Sequence, residues 1–146
     1  MATTPHILIL EARYYGEISD LLAQGAIAEI EKWGATYERV EVAGSFELPG
    51  GVRMAIATGK YDGYLALGCV VRGETSHFDF ICAEVARGLG DLAMRHMAPI
   101  GFGVLTCENY QQALVRADPE QKNKGREAAV ACIKMVELAQ TLRVTG

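Results

Sequence analysis

A chain of 146 residues holds one core of ordinary size, since two cores would each be marginal, so a single unit is expected over residues 1–146. With 50% hydrophobic and 22% charged residues, its usage is globular rather than disordered. A net charge of -4 argues against nucleic acid as a partner, because backbone binding needs a basic surface, and no apolar stretch is long enough to span a membrane.

The opening MATTPHILILEARYY lacks a basic segment followed by a long apolar run, so no leader is expected and the expected compartment is the cytoplasm. His6 to Glu11 is almost continuously apolar, as a parallel strand covered on both faces is. A loop with Arg13, Tyr14 and Tyr15 follows. From Glu17 to Trp33 the residues Ile18, Leu21, Leu22, Gly25, Ala26 and Ile30 recur at helical spacing, and Gly34 suits the C-cap. Thr36 to Val42 alternates polar and apolar residues, which predicts a second strand nearer an edge.

A loop from Ala43 to Pro49 leads into a helix around Pro49 to Thr58, and Gly59 leads into a third, largely apolar strand from Tyr61 to Val71. Thr75 to Arg95 is predicted as a helix with Phe78, Ile81, Cys82, Val85, Leu89 and Leu92 on its apolar face. Pro99 to Cys107 is the fourth strand. A short helix from Asn109 to Ala117 and a glycine-free linker from Asp118 to Lys122 precede the terminal helix, Lys124 to Leu142. Its expected buried stripe is Ala128, Ala131, Cys132, Met135 and Leu138. This alternation of strand and helix, without repeats, implies the α/β class with a three-layer α/β/α architecture.

Cys69, Cys82, Cys107 and Cys132 are widely spaced with no CxxC pair, so neither a zinc site nor a redox dithiol is signalled. They read as small buried hydrophobes.

Ligands of open α/β sheets bind beyond the carboxyl ends of the strands, which selects the loops to inspect. The densest runs from Val70 through Val71, Arg72, Gly73, Glu74, Thr75 and Ser76 to His77. It passes through a glycine into a helix start, whose free N–H groups and dipole favour an anion. Thr75 adds a hydroxyl, which is equally compatible with a helix cap. His6 begins a strand and His96 closes a helix, leaving His77 as the histidine placed for proton transfer near neutral pH. Glu47 offers a carboxylate to a polyhydroxyl chain or is simply a solvated loop charge. Tyr14 and Phe102 offer faces to a flat heterocycle, although a strand residue such as Phe102 is also a candidate for the core. No nucleotide-binding glycine loop and no G-x-S-x-G elbow is present.

In their order these loops resemble the lumazine synthases, from Ile7 to about Leu138. The matching stretches are ARYY (Ala12–Tyr15), GSFELP (Gly44–Pro49), GCVVRGETSHFDFIC (Gly68–Cys82), FGVLT (Phe102–Thr106) and NKGREAA (Asn123–Ala129). The resemblance implies a flavodoxin-like four-stranded parallel sheet, no cofactor and no metal. It also implies two small-molecule substrates, 5-amino-6-ribitylaminouracil and 3,4-dihydroxy-2-butanone 4-phosphate.

By position, Tyr14 matches the aromatic that stacks on the pyrimidine. Ser45, Phe46 and Glu47 match the loop at the ribityl side, Val70 and Val71 the strand end against the pyrimidine edge, and Lys124 the lysine near its carbonyl. Glu74 and Thr75 match the phosphate loop, Arg116 the arginine that neutralises the phosphate, and His77 the proton-transfer histidine. Phe102 matches an aromatic contributed by a neighbouring subunit, because the family's sites lie between subunits of a pentamer.

Tyr15 stands where many members have Asn, and Glu74 where a small residue is common. The linker lacks the glycines and first lysine of shell-forming members, which favours free pentamers. A carrier that binds flavin or lumazine without making it would use the same pocket, and the presence of both His77 and Arg116 favours the enzyme.

Overall fold

The computed structural model describes residues 4–144, so the ends of the expected 1–146 unit, including Met1 to Thr3 of the opening segment, lie outside the described residues. Its elements in chain order are β1 (His6–Ala12), α1 (Gly16–Trp33), β2 (Thr36–Val42), a 3-10 helix (Ser45–Glu47) and α2 (Leu48–Thr58). Then come β3 (Gly63–Val71), α3 (His77–His96), β4 (Ile100–Cys107), α4 (Tyr110–Ala117) and α5 (Lys124–Leu142).

The four strands form one parallel sheet in the order β2-β1-β3-β4. One core layer packs Ile18, Leu22 and Ala26 of α1, Ala113 of α4 and Ala128 and Cys132 of α5 against Ile7, Ile9, Leu65 and Leu67. The other packs Leu48 and Val52 of α2 and Val85 and Leu89 of α3 against Leu8, Leu10, Ala66 and Val104. Alternate residues of β1 and β3 therefore serve opposite faces, which is why both strands read as unbroken apolar runs. This is the three-layer α/β/α, flavodoxin-like arrangement. The chain leaves β1 toward β2 and returns to the other side for β3, so the crevice opens between the carboxyl ends of β1 and β3.

β2 lies at an edge, as its alternating pattern predicted, and α1 ends at a left-handed Gly34. Three expectations need correcting. Tyr61 and Asp62 precede β3 rather than opening it, because Asp62 is tied off to His6: its carboxylate accepts the His6 N–H at 2.7 Å and its own N–H donates to the His6 carbonyl at 2.8 Å. α3 starts at His77, two residues later than expected, since Glu74, Thr75 and Ser76 have nothing to bury and Phe78 is the first anchored side chain. The buried stripe of α5 is Gly125, Ala128, Ala129, Cys132, Ile133 and Val136, whereas Ala131, Met135 and Leu138 face outward. No helix among the described residues is long and apolar enough to cross a membrane.

Candidate active site

The end of β1 delivers Tyr14 to the crevice mouth, where its ring is 79% exposed. The residues on either side are anchored. Arg13 donates to Glu11 at 2.7 Å and pairs with Asp20 of α1. Tyr15 is half-buried, with its ring edge-on to Tyr14 at 4.8 Å and to Tyr110 at 5.7 Å. Burial holds the Tyr15 hydroxyl above its ordinary pKa, so it stays a neutral phenol.

Beyond β2 the chain winds into the 3-10 helix that carries Ser45, Phe46 and Glu47. It packs on Gly68 of β3, where a β-carbon would come within 2.8 Å of the Ser45 hydroxyl oxygen. The absence of a side chain at Gly68 lets this short helix settle on the sheet beside Val70 and Val71, which are half-buried at the end of β3. Phe46 and Glu47 are exposed and line a cavity of about 550 Å³ together with Val42, Pro49, Met54 and Glu84.

After β3, Arg72 secures the loop that leads to His77. Its guanidinium grips Asp79 with two hydrogen bonds of 3.1 and 3.2 Å, donates to Glu108 at 2.8 Å, and lies 4.4 Å from the Phe78 ring centre. These carboxylates hold the Arg72 pKa above its ordinary value. One side chain thus joins the end of β3, the first turn of α3 and the end of β4. Between these fixed points Glu74, Thr75, Ser76 and His77 are exposed. Ser76 occupies the N-cap position without a side-chain cap, and Thr75 Oγ1 accepts the His77 N–H at 3.3 Å. The capping role weighed for Thr75 is therefore present one residue ahead of the cap position.

Phe102, Arg116 and Lys124 lie elsewhere. They line one cavity of about 470 Å³ along the β4 edge, with Thr106 and Glu127. Phe102 is 46% exposed and so belongs to the surface rather than the core. Arg116 sits in the last turn of α4, where Nη1 donates to the Gln112 carbonyl at 3.2 Å. That helix is fixed at its start by two side-chain bonds: Asn109 Oδ1, at the N-cap, accepts the Gln112 N–H, and Gln112 Oε1 accepts the N–H of Glu108 just before the cap. Lys124 opens α5 behind a left-handed Asn123 and pairs with Glu127 at 3.0 Å. The structure thus gathers the expected residues into two groups, nine at the carboxyl ends of β1, β2 and β3 and three at the β4 edge.

No cysteine is poised as a nucleophile. Burial pushes the Cys69 and Cys132 thiols up to about 12 and raises those of Cys82 and Cys107, so all four are protonated at neutral pH. Sequence reasoning passed over Arg72 and the buried Glu11. The signal for Glu11 was a charge inside a strand that otherwise read as buried on both faces.

The model of the family described as 6,7-dimethyl-8-ribityllumazine synthase matches residues 4–140. The chain belongs to that family. It is 50% identical to the 6,7-dimethyl-8-ribityllumazine synthase of Zymomonas mobilis over 135 residues, covering 92% of this chain and 96% of the relative. The enzyme of that name from Bartonella henselae is 47% identical, over 91% of this chain and 87% of the relative. The one from Agrobacterium fabrum is 45% identical over 143 residues, covering 94% and 97%. Membership in the 6,7-dimethyl-8-ribityllumazine synthase family thus extends over both groups of residues, from Tyr14 to Lys124.

Proposed function

We propose that this chain condenses 5-amino-6-(D-ribitylamino)uracil with 3,4-dihydroxy-2-butanone 4-phosphate to give 6,7-dimethyl-8-ribityllumazine, as a transferase of riboflavin biosynthesis. The observation that carries the reading is the family match over residues 4–140, with His77 and Arg116 both present within it.

The uracil's 5-amino nitrogen attacks the ketone carbon, and water leaves to form an imine. Loss of the proton next to the imine expels phosphate and leaves an enol, which becomes a new carbonyl. The ribityl-bearing nitrogen then attacks that carbonyl and loses water, closing the second ring. No cofactor or metal enters these steps.

In this reading Tyr14 stacks on the pyrimidine, Val70 and Val71 lie along its edge, and Lys124 meets its carbonyl. Ser45, Phe46 and Glu47 receive the ribityl side. Thr75, the N–H of Glu74 and the Arg116 guanidinium hold the phosphate, while His77 moves protons. The Glu74 side chain must point away from the phosphate, in keeping with its exposure. Orientation of two bound reactants can supply roughly 7–11 kcal/mol in well-arranged cases, so positioning outweighs any single proton transfer.

The two groups of residues support a site completed by a second copy, with Phe102, Arg116 and Lys124 coming from the neighbour. Exposed apolar side chains in two places support the same reading: Phe46, Met54 and Phe80 around α2 and α3, and Phe102, Met135 and Leu138 along β4 and α5. Two unlike surfaces that meet head to tail close a ring when the rotation between copies divides a full turn. We take that ring to be a homopentamer in the cytoplasm, where free thiols persist.

The test is to mix the two substrates with the protein, follow lumazine fluorescence, and measure particle mass by light scattering. Product above the spontaneous rate is expected from a pentamer. A rate no higher than the spontaneous one would sink the enzymatic reading.

A further inference from the structure

Glu11 is a charged residue buried near the carboxyl end of β1. It is 3% exposed, and its carboxylate accepts hydrogen bonds from Arg13 Nη1 at 2.7 Å, Arg39 Nε at 2.6 Å and Arg39 Nη2 at 2.9 Å. Arg13 continues to Asp20 on α1. A buried carboxylate is tolerated only when it is paired in this way, and an apolar residue of similar volume is often as stable or more so. Fold stability alone therefore gives little reason for a carboxylate here.

Its geometric effect falls on Tyr14. The residue before Tyr14 is held by Glu11 and Asp20, and the residue after it is wedged beside Tyr110, whose hydroxyl donates to Glu17 at 2.9 Å. Between two fixed neighbours, the most exposed tyrosine of the site is offered to solvent on a backbone that has little freedom. Fixing the backbone beneath the ring lowers the ordering cost of binding a flat ligand. The other arm of the network, through Arg39, ties the same carboxylate to β2, the strand that leads to the Ser45–Glu47 helix.

We infer that Glu11 is a positioning residue for binding of the pyrimidine substrate, acting through the Arg13 guanidinium on the backbone that presents Tyr14. This rests on the proposed role of Tyr14 as the pyrimidine stack.

The experiment is steady-state kinetics on the full-length oligomer with both substrates varied, comparing the parent protein with Glu11→Gln, Arg13→Lys, Tyr14→Ala and the Glu11→Gln/Tyr14→Ala pair. Arg13→Lys keeps a charge beside Glu11 but loses the rigid fork, so it serves if Glu11→Gln does not fold. Either variant should raise KM for the ribitylaminouracil by roughly two- to tenfold, the range for one side chain that binding must order. KM for the phosphorylated ketone should not change. In the Tyr14→Ala background, Glu11→Gln should leave the uracil KM where it was, because the two act as one unit.

A purely structural Glu11 would lower thermal stability and the number of active sites while leaving both KM values alone, and that outcome overturns the inference. So does a rise confined to the ketone, or a full additional effect on top of Tyr14→Ala. A parent protein with no activity above background would instead overturn the functional reading itself.

Discussion

Gly125, in the first turn of α5, passes so close to Leu22 of α1 that a β-carbon on it would overlap the Leu22 carbonyl oxygen and lie 2.9 Å from the carbonyl carbon. The obstacle is backbone, which cannot rotate away as a side chain can. Gly125→Ala would gain about 0.8–1.0 kcal/mol of helix propensity. It would lose about 1–3 kcal/mol or more to overpacking, so the clash wins. The denaturation midpoint should fall when measured at one fixed protein concentration. An unchanged midpoint would show that α1 and α5 can separate without cost.

Most of the fold was legible because burial on both faces writes β1 and β3 as apolar runs, and helical spacing marks α1 and α3. The misread stripe of α5 has a physical source. Ala131, Met135 and Leu138 were expected inside because their spacing is helical and apolar, but α5 carries two apolar stripes and only one faces the sheet. Spacing reports that a face is apolar, not what covers it. The candidate residues were legible as a set of loops through their family motifs. Their division between the β1–β3 ends and the β4 edge required coordinates, since Phe102 and Val104 lie in the same strand yet one is exposed and the other buried. The Arg72 clamp was not legible either, because its partners Asp79 and Glu108 come from different elements.

Alkaline pH should weaken the fold through its buried thiols. Cys69 and Cys132 are raised from 9.0 to about 12 by burial, so the folded state keeps its protons where the unfolded chain releases them. Their contribution is complete below about pH 9 and is lost as pH rises from there to about 12. Tyrosines titrate in the same range, so the decisive measurement is a difference. Cys132→Ala should show a shallower alkaline decline than the parent protein. Parallel curves would mean that this thiol does not contribute.

If the site spans two copies, defects in its two halves should complement. His77→Ala and Arg116→Ala proteins, each impaired alone, would be unfolded together and refolded as mixed rings. With random mixing, about a quarter of the interfaces would pair an intact His77 with an intact Arg116 from the neighbour. Activity near a quarter of the parent level is expected, against none above the separate variants if one chain supplies both residues.

The two substitutions should also differ in kind. Arg116 is a fixed cation in a surface cavity, and the loss of a hydrogen bond to a charged group costs about 1.5–3 kcal/mol. Arg116→Ala should therefore raise KM for the phosphorylated ketone by roughly 10- to 150-fold, with a smaller effect on the uracil. His77 stands at an exposed helix start, where its removal leaves both binding surfaces intact. Its loss should appear mainly in kcat, by about 100- to 10,000-fold at most, the scale of one positioned proton-transfer group. Because orientation remains in the His77→Ala protein, its rate should stay above the spontaneous one. A ketone KM unmoved by Arg116→Ala would sink the phosphate assignment, and a kcat unmoved by His77→Ala would remove the histidine from the chemistry.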